Sequence, residues 1–91
     1  MRIAYSRRAL KQLENIYRYI ERDDPKAAKR VVERIAYSIT RLRLLPYSGR
    51  PSHDPRARLL SVPGLPYVVV HRLRKDVVDI LAIFHTAQRR D

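Results

Sequence analysis

The sequence contains no cysteine, which excludes disulfide bonds and thiolate metal sites. It also contains no apolar run that approaches the roughly 20 residues needed to span a membrane as a helix. Residues 1–5 have the pattern of a strand rather than of a signal peptide. These absences lead us to expect a cytoplasmic protein without a membrane partner.

Acidic residues are few. The chain carries 9 Asp and Glu against 20 Lys and Arg, which gives a formal net charge of +11 at pH 7. Because this charge opposes compaction by self-repulsion, we expect a polyanion or an acidic protein as partner. A chain of 91 residues makes one domain with one modest core and has little room for an enclosed substrate cavity.

Two apolar segments near the carboxyl end organise the chain. Residues 67–73 and 77–84 are rich in β-branched side chains, and the polar turn Arg74-Lys75-Asp76 joins them. This turn is short enough to make the two strands antiparallel neighbours. We expect this hairpin at the centre of a sheet, with further strands at residues 2–5 and 58–62.

Two amphipathic helices are predicted upstream. Ser6 is a candidate N-cap for the first helix; Asp24 is one for the second, with Pro25 in its first turn. Apolar residues recur at steps of three and four, as is typical of helices. They are Ala9, Leu10, Leu13, Ile16, Tyr17 and Ile20 in the first helix, and Ala28, Val31, Val32, Ile35, Ile39 and Leu42 in the second.

The order of these elements predicts an α+β fold with the sequence β-α-α-β-β-β. We expect a single domain over residues 1–91, with an antiparallel sheet and a helical hairpin packed on one face. The helical hairpin should cover about residues 6–45, followed by a loop over 46–56 and a C-terminal sheet over about 57–85. Pro46 is expected to stop the second helix.

Several short motifs, taken in order, give the chain a family resemblance. They are Asp23-Asp24-Pro25, Leu45-Pro46-Tyr47-Ser48-Gly49-Arg50, Arg58-Leu59-Leu60, Pro66-Tyr67-Val68-Val69-Val70-His71-Arg72 and Asp79-Ile80-Leu81-Ala82-Ile83-Phe84-His85. With this order and spacing, the chain resembles the ParE/RelE superfamily of toxins from type II toxin–antitoxin modules. The resemblance covers nearly the whole chain and implies the RelE/ParE-like fold.

Members of this superfamily differ in chemistry. RelE-like toxins are ribosome-dependent mRNA endonucleases, whereas ParE-like toxins inhibit DNA gyrase by binding and need no catalytic residues. Val68 stands where RelE-like toxins usually have arginine, the tail 86–91 has no tyrosine, and the loop before Arg58 has no lysine. These departures favour a ParE-like toxin, although His71 stands where ParE-like sequences commonly have tyrosine.

The ParE-like resemblance implies a gyrase inhibitor that acts without a cofactor and serves plasmid stabilisation. Its partners would be DNA gyrase and a cognate antitoxin, whose acidic, extended segment neutralises the toxin within a hetero-oligomer. DNA contact inside the gyrase complex is a further expectation, with Arg89 and Arg90 as candidates. For target binding, the resemblance points to the open face of the sheet and the tail, with the candidates Arg58, Arg72, His85, Arg89 and Arg90.

The first alternative is the RelE-like nuclease. Cleavage of RNA requires a base, an acid and cations that stabilise the developing charge on phosphorus. The candidates would be His85 as general base with Arg58 and Arg72 beside it, although a histidine at a strand end is more often structural. The three histidines are scattered along the chain, so we expect no metal site.

The second alternative is a basic nucleic-acid-binding module, because Lys and Arg neutralise phosphates and release counterions. Against it, the basic residues are dispersed over both predicted helices, the loop and the tail. No helix-turn-helix pattern or aromatic platform is apparent. An acidic antitoxin therefore explains the charge at least as well.

Overall fold

A computed structural model describes residues 1–88 of the chain. Its elements are β1 (Arg2–Tyr5), α1 (Arg7–Glu21), α2 (Pro25–Thr40), β2 (Arg50–Pro51), β3 (Arg58–Ser61), β4 (Tyr67–Arg74) and β5 (Val77–His85), with single turns of 3-10 helix at Arg41–Arg43 and Thr86–Gln88. The strands form one sheet in the order β1-β5-β4-β3-β2. Within the described part of the chain, no helix has both the length and the apolar character required to span a membrane.

The predicted α+β fold is confirmed, and the sheet differs from the prediction in two details. Strands β2 to β5 pair antiparallel, but β1 pairs with β5 in parallel, which makes the sheet mixed and corrects the expectation of a fully antiparallel sheet. Parallel neighbours need a long connection, and here two helices and three strands supply it. The second difference is β2, a strand of two residues inside the predicted loop.

Both predicted helix caps are present. The Ser6 hydroxyl oxygen accepts a hydrogen bond from the Ala9 amide at 2.9 Å, and the Asp24 carboxylate accepts one from Ala27 at 3.0 Å. The Ser6 hydroxyl also donates to the Leu81 carbonyl at 3.0 Å. One side chain therefore begins α1 and fixes it against β5.

The core lies between the helical hairpin and one face of the sheet. Its fully buried members come from both layers, including Ile35 and Ile39 of α2 and Val69, Val78 and Ile80 of the central strands. Leu13 and Ile16 of α1 pack against this cluster while remaining partly exposed. The apolar stripes of the sequence thus form the contact between the layers, except that Leu10 of the predicted first stripe is 53% exposed.

A β-bulge in β5 decides which side chains share a face. Val70 pairs with Ala82 and His71 pairs with Ile80, so Leu81 is the extra residue. Side chains alternate along β4, which places His71 on the same face as the core residue Val69. Arg72 therefore lies on the opposite face of the sheet from the helices.

Candidate functional site

An open cleft of about 400 Å³ lies beside the last residues of β4, which extend past the end of β3 at which Arg58 lies. The last residue pair between these strands is Arg58 with His71, so the final residues of β4 border the cleft without β3 beside them. We call it the arginine cleft, and its lining residues are Pro46, Tyr47, Pro55, Arg56, Arg58, His71, Arg72, Leu73 and Arg74. Four of these nine residues are arginines.

Asp79 holds two of the cleft arginines in place. Its carboxylate accepts hydrogen bonds from Arg74 at 2.9 and 3.2 Å and from Arg72 at 3.2 Å. The hydrogen bond with Arg74 is the main cause that lowers the pKa of the Asp79 carboxyl, and Arg72 contributes in the same direction. With its side chain only 11% exposed, Asp79 fixes both guanidinium groups from within the sheet.

The partly exposed Arg58 and the buried His71 form the base of the cleft, and the loop before β2 holds both. Arg58 Nη2 donates to the Gly49 carbonyl at 2.9 Å. His71 Nε2 lies 2.9 Å from the Ser48 carbonyl; because a carbonyl can only accept, Nε2 carries the hydrogen. Within residues 1–88, the buried atoms Arg58 Nε and His71 Nδ1 have no hydrogen-bond partner.

Burial is the main cause that lowers the pKa of His71, and the charge of Arg58 lowers it further. The hydrogen bond to Ser48 acts in the opposite direction. The ring is 0% exposed. At neutral pH His71 is therefore a neutral ring that anchors the loop, and its buried position keeps it from meeting a substrate directly.

The outer walls of the cleft are more exposed. Arg56 donates to both oxygens of Asp54 at 3.3 and 3.4 Å. This contact lowers the pKa of the Asp54 carboxyl, with the hydrogen bond from the Arg56 backbone amide as the largest cause. On another part of the wall, the Tyr47 ring is 68% exposed. The cleft thus combines exposed charge with an uncovered aromatic face.

His85 lies elsewhere, in a groove of about 670 Å³ between α1 and β5, which we call the α1–β5 groove. Its ring meets the Tyr67 ring edge to face, with centroids 5.3 Å apart, and its Nδ1 accepts from the Ala87 amide at 3.0 Å. The structure therefore brings the predicted candidates Arg58 and Arg72 together but separates His85 from them. The candidates Arg89 and Arg90 lie outside the described residues.

The α1–β5 groove follows a strand edge that β1 leaves uncovered. The pairing of β1 with β5 ends at Ile80, and farther along β5 the Ile83 amide donates to Gln12 Oε1 of α1 at 2.7 Å. Tyr19, whose side chain is 72% exposed, lines the opposite wall. The groove presents apolar and aromatic surface beside an edge of β5 whose Ile83 amide is hydrogen-bonded to a side chain of α1.

The structure joins to this site four residues that were not predicted as members, namely Arg56, Arg74, His71 and Asp79. Asp79 lies inside β5 between buried neighbours and not at a turn or a helix cap, where aspartate is common. The turn is Lys75-Asp76, which places Arg72 directly opposite Asp79, whereas the predicted turn over residues 74–76 would not give this pairing. In the part of the chain that the structure describes, no three His, Asp or Glu side chains converge as metal ligands would.

Comparisons with known proteins agree with one another. Residues 3–90 match the family described as the ParE toxin of the type II toxin–antitoxin system parDE. The protein Y4kP of Sinorhizobium fredii (strain NBRC 101917 / NGR234), a candidate toxin by its name, is 42% identical over 88 residues, which are 97% of this chain and 91% of that protein. A solved chain from the chromosomal ParDE system of P. aeruginosa superposes with a TM-score of 0.85 at 26% identity, over 93% of this chain and 95% of that one.

Proposed function

The chain belongs to the ParE toxin family of type II toxin–antitoxin systems, and we propose on this basis that it inhibits DNA gyrase by binding. We further propose that a cognate antitoxin neutralises it in a hetero-oligomer. The bacterial cytoplasm, where gyrase meets DNA, would be its location. Plasmid stabilisation would be one outcome of such a module.

The architecture of the arginine cleft supports binding rather than catalysis. RNA cleavage needs a base within hydrogen-bond reach of the proton that it removes, together with cations. The cleft supplies cations, but its histidine is fully buried and bonded to Ser48. His85 lies in the other groove, against Tyr67. The burial of His71 at the base of the cleft, together with the placement of His85 in the other groove, is the observation that carries the proposal.

Charge and exposed apolar surface support an antitoxin as partner. A net charge of +11 favours an acidic chain, and the α1–β5 groove offers apolar contacts beside a strand edge. An extended acidic segment could cover both kinds of surface as it orders on binding. The name of the P. aeruginosa system, ParDE, agrees with a two-component module.

The test is a supercoiling and cleavage assay with purified gyrase and with toxin released from its antitoxin, run beside a translation extract. We expect gyrase-cleaved linear plasmid to accumulate while translation continues, and we expect added antitoxin to restore supercoiling. Intact supercoiling with specific cuts in mRNA on ribosomes would instead establish the RelE-like nuclease. In that case His85→Ala and Arg58→Ala would be the first variants to measure.

A further inference from the structure

The arginine cleft concentrates positive charge that the sequence spreads over three segments. Arg56 comes from the loop before β3, Arg58 from β3, and Arg72 and Arg74 from β4. Among the described residues, the carboxylates bonded to these arginines are Asp54 and Asp79. Four guanidinium groups against two carboxylates leave a local positive excess.

The existing contacts leave many donors of these arginines unused. Each guanidinium carries five N–H groups. Arg58 gives one to Gly49, while Arg72 gives one and Arg74 gives two to Asp79. Planar guanidinium groups with free N–H groups match the oxygens of a phosphate. The cleft therefore has donors free to bind an anion.

Arg58 supplies an independent indication of a ligand at the base of the cleft. Its Nε is buried and, among the described residues, without a hydrogen-bond partner, while its Nη2 is held by the Gly49 carbonyl. A buried donor without an acceptor costs free energy. An anion that enters the cleft would supply an acceptor next to this group.

The size and walls of the cleft favour a nucleotide over a carboxylate side chain. A volume of about 400 Å³ is in the range of sites that hold a small ligand. Tyr47 offers an aromatic face that is 68% exposed, with Pro46 beside it. Bases of single strands stack on such faces, whereas bases within a duplex are already stacked.

We propose that the arginine cleft binds one nucleotide unit of a single DNA strand, with its phosphodiester on the arginines and its base against Tyr47. The proposal rests on the proposed function in one respect, namely that gyrase brings DNA to the toxin. An acidic protein segment would use the same arginines, but it has no base to stack on the exposed ring of Tyr47. The two ligands are therefore distinguishable.

The test measures fluorescence anisotropy of a labelled single strand of roughly 12 thymidines with the purified toxin at low salt. The double variant Arg56→Gln/Arg74→Gln should weaken binding about tenfold. The matched control is Arg8→Gln/Arg30→Gln, which removes the same charge from exposed positions on α1 and α2 and should change affinity less than about twofold. An equal loss in both double variants would show diffuse attraction and overturn the proposal.

Tyr47→Ala separates a nucleotide from other anions. It should weaken binding of the single strand about fivefold or more, since a stacked base contributes substantially, and should leave the weaker binding of a duplex of the same length unchanged. Tighter binding of the duplex, insensitive to Tyr47→Ala, would contradict the proposal. The proposal would also be contradicted if an oligoglutamate peptide displaced the oligonucleotide, bound at least as tightly, and kept its affinity in Tyr47→Ala.

The oligonucleotide assay contains no gyrase, so the two proposals can fail separately. Binding that depends on the cleft, together with unaffected supercoiling, would refute gyrase inhibition and support the cleft. If the toxin inhibits gyrase but its cleft variants bind the oligonucleotide as tightly as the wild type does, the cleft proposal alone is refuted.

Discussion

The buried ring of His71 makes the stability of the domain depend on pH. Its pKa lies below the ordinary value of 6.5 because burial disfavours the charged form. Between the lowered pKa and about 6.5, the unfolded chain binds more protons than the folded one, so the free energy of unfolding decreases as pH falls below about 6.5. Above that pH the contribution is fully present.

Urea denaturation at pH 7.5 and pH 5.5 measures this prediction. The decrease on acidification should become smaller in His71→Gln, which can keep a hydrogen bond to Ser48 without titrating. His53→Gln, in the loop between β2 and β3, is the matched control and should retain the full decrease. An unchanged decrease in His71→Gln would assign the pH dependence to another group.

Arg58 and Arg72 could be identified as candidates because the family resemblance points to the sheet and the tail of a basic chain. The rest of the cleft depends on cross-strand register, which local patterns do not contain. Asp79 meets Arg72 only because of the two-residue turn, and Ile80 and Ile83 both face the core only because the bulge at Leu81 lies between them.

At the scale of elements, the close approach of the loop before β2 to the main chain of β3 depends on Gly49. Its φ is +95°, and a Cβ at this position would lie 2.3 Å from the Leu59 carbonyl oxygen. We expect Gly49→Ala to decrease the free energy of unfolding by more than about 2 kcal/mol, since backbone strain adds to a clash with main-chain atoms. Chemical denaturation measures the loss.

Gly64→Ala is the matched comparison. Gly64 also has a positive φ, +75°, but its added Cβ would meet the flexible end of the Arg34 side chain at 2.9 Å. The expected loss is about 1–2 kcal/mol, from backbone strain alone. Losses of equal size in the two variants would contradict the view that Leu59 and Gly49 pack main chain against main chain.

The beginnings of the helices could be predicted closely because their information is local, but α2 ends at Thr40 and not at Pro46, the predicted stop. Ser6 and Asp24 begin them as expected, and Pro25 lies in the first turn of α2. The partner of β1 could not be predicted, since a strand of four residues at the sheet edge fits several neighbours equally well. Its place beside β5 follows from the route of the helical hairpin across the sheet.

For the whole molecule, the net charge of +11 predicts that salt stabilises the fold. Repulsion among like charges is screened as the Debye length shortens from about 30 Å at 0.01 M to about 8 Å at 0.15 M ionic strength. The melting temperature in sodium chloride should therefore rise over this range. In Arg8→Gln/Arg30→Gln, which has two fewer positive charges, the rise should be smaller. A melting temperature that falls with salt would show that attractive ion pairs outweigh the repulsion.

The parallel ladder between β1 and β5 also sets the order of events during synthesis. Tyr5 pairs with Ile80, so the amino-terminal strand has no neighbour in the sheet until nearly the whole domain has been translated. Contacts of such long range form late, after the local helices and the β4–β5 hairpin. A nascent or prematurely terminated chain therefore lacks the completed sheet. Any harmful activity that requires the completed sheet is absent from the ribosome-bound polypeptide until translation has passed β5.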